Sequence, residues 1–266
     1  MSTRRYADLP LSIRFPLYLF VGISLALLIL PLAAALPISF NSAPWFTYPF
    51  PDLSLRWFKA LFGSEIWIGA LLNSVGIALA TTFLATTLGT LASIGLVNSN
   101  FPLRRFVMAL AISPMLMPVV VLGLALFIFY SSLGLNYTFM GVVIAHTLMA
   151  TPFVVITVTA TLTRFDFTLM RAAANLGAGK VAAFKDIMLP LIAPGVGAGA
   201  VFAFATSFDE VVIVLFIAGP GQRTLPKQMF TGLREQLDPT IIAAAVTMVL
   251  ITSLLMLVAL AVARKR

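Results

Sequence analysis

The chain has 266 residues, 61% hydrophobic and only 10% charged, with a net charge of +8. Apolar runs at this density exclude an ordinary soluble domain and point to membrane helices of ~20 residues each. Little is left for an extramembrane part, so residues 1–266 are expected to form a single transmembrane domain.

Residues 1–14 carry Arg4, Arg5 and Arg14 against Asp8. The first apolar run, about 16–36, exceeds the roughly 7–15 residues of a secretory signal core, and further runs follow, so it reads as a retained helix. Residues 41–65 are polar and aromatic, with Pro44, Pro49 and Pro51. Within them, 53–62 has apolar residues at helical spacing and Trp57 on one side, which suits a short helix in the membrane interface. The second span, about 68–96, is rich in Ala, Thr and Gly, which let helices approach closely in lipid.

The third span, about 106–130, contains Pro114 and Pro118. Proline kinks a spanning helix and frees carbonyls, so this is a candidate gating hinge. The fourth span, about 139–162, carries His146 and Pro152. A polar segment, about 164–190, precedes the fifth span at about 191–218, which contains Asp209-Glu210. The loop 219–239 leads to the sixth span, about 240–262, which ends in Arg264-Lys265-Arg266.

Six spans place both termini on one side. That side holds Arg4, Arg5, Arg14, Arg104, Arg105, Arg164, Arg171, Lys180, Lys185, Arg264, Lys265 and Arg266. The other holds Arg56, Lys59, Arg223, Lys227 and Arg234, so the 17 basic residues divide twelve to five. The positive-inside rule then puts the termini and the 164–190 segment in the cytoplasm.

Few side chains are available for chemistry. Cysteine is absent and His146 is the one histidine, which leaves no thiolate or two-histidine metal site and no Cys nucleophile. Lys and Arg sit at the ends of apolar runs and form no stripe interleaved with aromatics, so nucleic acid is not expected as a partner. Asp209 and Glu210 are the acidic residues inside a span, where a charge costs ~2.5–3.5 kcal/mol and normally faces a cavity or a partner. Adjacent residues point ~100° apart on a helix, so one of the two can face a pathway squarely. Either one carboxylate lines the route of a cationic substrate, or the pair is solvated at the helix end. Phe208, Tyr130, Tyr137 and His146 are further pathway candidates, though aromatics at membrane ends commonly serve as belt residues. No phosphate-cradling loop is present. Gly179-Lys180 comes nearest, but Ala174 and Val181 stand where that loop needs Gly and Ser or Thr, so nucleotide binds on another chain.

The 164–190 segment is organised around Arg171-Ala172-Ala173-Ala174-Asn175-Leu176-Gly177, followed by Ile187-Met188-Leu189-Pro190. It reads as two short helices broken at Gly177, with Asp166 capping the first and Pro190 stopping the second. The alanines give a low surface on which another protein packs. This pattern resembles the cytoplasmic signature of ABC-importer permeases: Glu-Ala-Ala, three residues, Gly, nine residues, Ile-x-Leu-Pro. Arg171 stands where that pattern has Glu. The resemblance implies an all-α type I permease fold with six transmembrane helices and a coupling segment between helices 4 and 5. Arg171, Ala172, Ala173, Gly177, Ile187, Leu189 and Pro190 are the ATPase-coupling positions it implies. Ser207-Phe208-Asp209-Glu210-Val211-Val212-Ile213, then Gly219-Pro220 and Thr224-Leu225-Pro226, is similar to the second permease of spermidine/putrescine importers. Ala145-His146-Thr147 before Pro152-Phe153-Val154 fits the same group.

By this resemblance the protein is a non-enzymatic permease of the bacterial inner membrane. Its partners would be a second homologous permease, two cytoplasmic ATPases that carry ATP and Mg, and a periplasmic binding protein. The chain itself would bind no cofactor or metal. A polyamine is the favoured substrate. An opine, an aminophosphonate or an amino acid remains open, as does a stand-alone secondary transporter.

Overall fold

The computed structural model describes residues 11–45, 52–98, 102–235 and 237–264. Arg4, Arg5, Pro49, Pro51, Lys265 and Arg266 lie outside the described residues. The described chain is helical: α1 (Leu11–Ser39), α2 (Arg56–Gly63), α3 (Glu65–Asn98), α4 (Arg104–Leu116), α5 (Val119–Leu133), α6 (Phe139–Leu162), α7 (Thr168–Asn175), α8 (Lys180–Ala183), α9 (Leu189–Phe208), α10 (Val212–Ile217), α11 (Leu225–Glu235) and α12 (Thr240–Arg264). Five helical stretches are long and apolar enough to cross a membrane, and α4 with α5 makes a sixth if that bent pair counts as one span.

The centre is a three-helix packing of α3, α6 and α9. Small residues set how closely these helices approach. A Cβ on Gly89 of α3 would stand 2.7 Å from the Val154 Cβ of α6, and one on Gly199 of α9 would stand 2.7 Å from Thr157 Oγ1. Gly195 leaves even less room against Thr161. On α6 the hydroxyls of Thr147, Thr151, Thr157 and Thr161 each donate to a carbonyl four residues back, so these polar groups are satisfied inside their own helix. That is why a threonine-rich helix can sit at the centre of a membrane bundle. Ser93 adds a link between helices, donating to the Val155 carbonyl at 3.2 Å.

The remaining helices pack around this core. α5 lies on α10 through Leu122, Leu126, Ile213, Val214 and Ile217. α12 receives α2, whose Trp57 and Leu61 bury against Ala243, Ala244 and Met248. The expected interfacial helix at 53–62 is thus α2, but Trp57 faces the core, with the Arg56 guanidinium 4.5 Å from its ring centroid.

Three expectations about the spans change. The third span is broken, not kinked: α4 and α5 meet at 103°. Pro118 is the cause, because its ring bars the preceding residue from helical geometry, and Met117 is extended at φ −82°, ψ 139°. The fifth span ends at Phe208, and Asp209-Glu210-Val211 form a non-helical break before α10. The two carboxylates therefore do not sit on one helix, and ~100° spacing does not govern them. Pro190 stops nothing. Helix continues from Lys180 to Phe208 through a π-helical turn, Phe184–Met188, where the Leu189 N–H reaches the Phe184 carbonyl five residues back. The wider turn relieves the crowding that a proline ring causes in an α-helical ladder, and Pro190 sits at its exit.

Candidate functional site

Two places gather the residues that the sequence marks for function. They lie at opposite ends of α9.

At one end, α7 and α8 form an elbow between α6 and α9. The Asp166 carboxylate accepts the Thr168 N–H at 2.9 Å and so starts α7. Hydrogen bonding from Thr168 holds the Asp166 carboxyl below the usual carboxylate range, and Arg171 adds to this. At the far end Gly177 takes φ +84°, the left-handed geometry that glycine adopts at least cost. The Gly177 N–H donates to the Ala174 carbonyl, and the Ala178 N–H donates to the Ala173 carbonyl, both at 3.0 Å. This pair of bonds is the Schellman closure, and it satisfies carbonyls that a helix end would otherwise leave open.

The coupling positions are divided by this geometry. Arg171, Ala172, Gly177 and Pro190 are exposed, Ile187 and Leu189 are half-buried, and Ala173 is buried. Two residues that sequence reasoning passed over stand out beside them. Leu176 is 89% exposed and Val181 79% exposed, on either side of Gly177, with Leu176 outside the spanning runs and Val181 in the first turn of the Lys180–Phe208 stretch. Both are large apolar side chains held in the open beside the Gly177 turn. The signal was present as apolar residues inside a polar segment.

At the other end, Asp209 is exposed and lines a cavity of about 350 Å³ with Ala205, Thr206 and Glu210. Glu210 is already engaged: its Oε1 accepts the Ile213 N–H at 2.9 Å and caps α10. Among the described residues no hydrogen bond or ion pair holds the Asp209 side chain. Phe208 is 1% exposed and stacks on Phe204 with centroids 5.3 Å apart. Tyr130 is buried among α5, α6 and α10. His146 is buried too, its Nδ1 hydrogen-bonded to Ser207 Oγ at 2.8 Å, so it ties α6 to α9. The structure thus brings Asp209 and Glu210 to one cavity and places Phe208, Tyr130 and His146 in packed interior. Tyr137 is exposed, with φ 60°, and its N–H donates to the Ile217 carbonyl at 2.8 Å.

The loop after α10 is pinned by residues that the sequence reading had not singled out. Asn73 Nδ2 donates to the Gly221 and Arg223 carbonyls at 3.0 Å each, and Ser74 Oγ accepts the Leu225 N–H at 2.7 Å. Lys227 Nζ donates to the Ala218 carbonyl at 2.6 Å, where it offsets the partial negative charge at the end of α10. Burial, and then Arg223, hold this lysine below its usual range. A polar Asn-Ser pair inside an apolar helix was the available signal.

A second cavity, of about 640 Å³, opens at the elbow end. Ala160, Thr161, Arg164, Phe165, Asp166 and Leu169 form one wall, and Leu191 and Pro194 of α9 form the other. Leu191, Pro194, Ala198, Phe202, Ala205 and Asp209 recur every three or four residues, so they share one face of α9. Four of the six are exposed apolar residues, while Ile192, Gly195, Gly199 and Ala203 on the other face are buried. One uncovered stripe of α9 therefore runs from the Arg164 cavity to the Asp209 cavity. From Leu191 to Asp209, eighteen steps of ~1.5 Å make it about 27 Å long. Among the described residues no cluster of His, Asp and Glu is arranged to hold a metal ion.

The chain is similar to known proteins over most of its length. Residues 85–265 match the family described as "Binding-protein-dependent transport system inner membrane component". The spermidine/putrescine transport system permease protein PotC of Escherichia coli (strain K12) is 30% identical over 234 residues, 88% of each chain. The putrescine transport system permease protein PotI of the same strain is 30% identical over 222 residues, 81% of this chain and 79% of that one. Among solved structures, a bacterial ABC transporter involved in the import of the acidic polysaccharide alginate superposes with a TM-score of 0.72 at 14% identity, covering 95% of both chains. Fold, family match and relatives agree, and the chain belongs to the binding-protein-dependent inner-membrane family, as the permease subunit of an ABC importer with the type I fold.

Proposed function

We propose that this permease carries a small organic cation of the polyamine class and is driven through its elbow by a separate ATPase. The observation that carries the substrate reading is Asp209, a carboxylate with no partner among the described residues, lining a cavity at one end of an uncovered helix face. Likeness to PotC and PotI supports the same class. Irregular backbone at membrane depth is tolerated only where it is buried in protein or lines a wet cavity. Two such breaks, at Met117-Pro118 and at Asp209–Val211, fit a chain that forms half of a pathway and is completed by a second permease.

The elbow supplies the drive. Leu176 and Val181 present apolar side chains next to the Schellman turn, and the low surface of Ala172 and Ala174 lets a partner approach. Basic residues crowd this end, so the elbow and both termini face the cytoplasm, where nucleotide is available. ATP and Mg bind on the ATPase. A periplasmic binding protein delivers substrate at the Asp209 end, and the partner permease is a homologous but different chain. Nucleotide-driven closure of the ATPases pushes α7 and α8, and the continuous Lys180–Phe208 helix carries that motion to the Asp209 break.

The test is transport by the assembled complex in proteoliposomes. Spermidine or putrescine is expected to be taken up, and Asp209→Asn to cut uptake roughly tenfold or more with assembly unchanged, the scale of one lost charge contact. Uptake that is equal in Asp209→Asn and wild type would remove Asp209 from the pathway.

A further inference from the structure

The Asp209 carboxylate stands free in its cavity, but the turn of helix that carries it does not. The Asp209 N–H donates to the Ala205 carbonyl at 3.1 Å, so the last turn of α9 sets where the side chain begins. Close contacts at Gly195 and Gly199 fix how near α9 lies to α6, and they stop about two turns short of that end. The polar tie at the end itself is His146. Its Nδ1 and the Ser207 Oγ stand 2.8 Å apart, and the two residues are 1% and 4% exposed. Among the described residues this is the one hydrogen bond between side chains that joins two spanning helices. The pair is incompletely bonded, because His146 Nε2 has no partner and the Ser207 hydroxyl makes no second bond among the described residues. Whichever of the two donates, one buried polar hydrogen is left without an acceptor. Two apolar side chains of the same shape would be about as stable, so stability does not account for the pair. What a hydrogen bond adds to apolar packing is direction, and here it fixes the rotation of the last turn and its height against α6.

We propose that His146 is a positioning residue, which acts through Ser207 to hold the end of α9 so that the Asp209 carboxylate faces the cavity where an organic cation is received. The inference rests on the substrate reading given under Proposed function and adds a residue to it. His146 does not line that cavity, so it touches no substrate there. Phe208, between Ser207 and Asp209, is buried on Phe204. The turn is thus held by an aromatic stack and by the His146 bond, and Asp209 alone faces outward. Without the bond the last turn is free to rotate, and the carboxylate moves away from its place beside Thr206 and Glu210.

The experiment uses the complete importer and has two arms. The first needs no substrate. The chain has no cysteine, so Asp209→Cys supplies a single thiol, and its rate of labelling by a small methanethiosulfonate is recorded. Adding His146→Leu and Ser207→Ala together is expected to shift that rate, whereas the rate at Leu233→Cys, an exposed site on α11, stays as it was. Removing both partners at once leaves neither without its bond, so the double change is expected to assemble. Ser207→Ala alone tests the same tie if it does not. The second arm is ATP-driven spermidine uptake in proteoliposomes. A charge contact that lengthens from ~4 to ~6 Å loses about two- to tenfold in occupancy between water and a protein surface, and uptake by the double variant is expected to fall by that factor. In an Asp209→Asn background the same double change is expected to cause no further fall. His146→Asn, which keeps a polar atom near the place of Nδ1, is expected to stay close to wild type. An unchanged labelling rate would overturn the positioning role whatever the substrate. A shifted rate with an uptake loss that adds in full to that of Asp209→Asn would overturn the link to Asp209. A wild-type complex that moves no spermidine would overturn the substrate reading, and the labelling arm would still decide for or against His146.

Discussion

The elbow at 164–190 and the Asp209–Lys227 end both interrupt apolar helix with polar chain, yet they are held in opposite ways. In the elbow the shaping bonds close over two to five residues: Asp166 to Thr168, Gly177 to Ala174, Ala178 to Ala173. At the other end they come from far away in sequence: Asn73 to Arg223, Ser74 to Leu225, Tyr137 to Ile217, His146 to Ser207. A locally closed turn keeps its shape when its surroundings move, which suits a part that is pushed. A loop pinned by neighbouring helices changes when those helices shift, which suits a part that opens. The long α9, continuous with the elbow through the π turn and broken only at Asp209, joins the two.

The largest effect is expected at the remotely pinned end. Ser74→Ala leaves the buried Leu225 N–H without its acceptor, at a cost of about 1–3 kcal/mol. Hydrogen exchange is expected to rise through the loop after α10 and to stay unchanged in α7. Faster exchange at both ends would mean that they are not separable units.

Gly177→Ala comes next. It forces a side chain into left-handed geometry, for about 1 kcal/mol of local strain. No atom lies within 4 Å of the position a Cβ would take, so strain is the whole effect, and a change confined to α7 and α8 is expected from hydrogen exchange. A comparable change at Ser74 and Leu225 would break the contrast.

The smallest effect is a pH dependence in the elbow. The Asp166 carboxyl is held below its usual range by Thr168, so its contribution is present at neutral pH and is lost as pH falls through its folded value. Exchange at the Thr168 amide is expected to lose protection on acidification in wild type, and Asp166→Asn to flatten that change. An equal acid response in the variant would assign it to another group.

The same contrast explains what was legible in the sequence. Gly177 and Asp166 could be read because their chemistry is complete within a few residues. The six apolar runs were legible because burial in lipid writes itself into composition. Other features depended on context. Pro118 signalled a bend, but whether a helix kinks or breaks at 103° depends on what packs on either side, here α6 on α4 and α10 on α5. Pro190 suggested a stop, and the π turn ahead of it carried the helix through. The roles of Asn73 and Ser74 lay about 150 residues from their partners. Asp209 and Glu210 were noticed as charges, but their separation into a free carboxylate and a cap depended on α10 beginning at Val212.

The central claim, that the elbow is a cytoplasmic dock for an ATPase, is open to one direct measurement, because the chain has no cysteine of its own. In Leu176→Cys the single thiol replaces the 89% exposed knob beside Gly177. A membrane-impermeant maleimide is expected to label it in inside-out vesicles stripped of the ATPase, to be blocked once the ATPase is restored, and to leave intact spheroplasts unlabelled. Labelling from the periplasmic side, or equal labelling with and without the ATPase, would contradict the account.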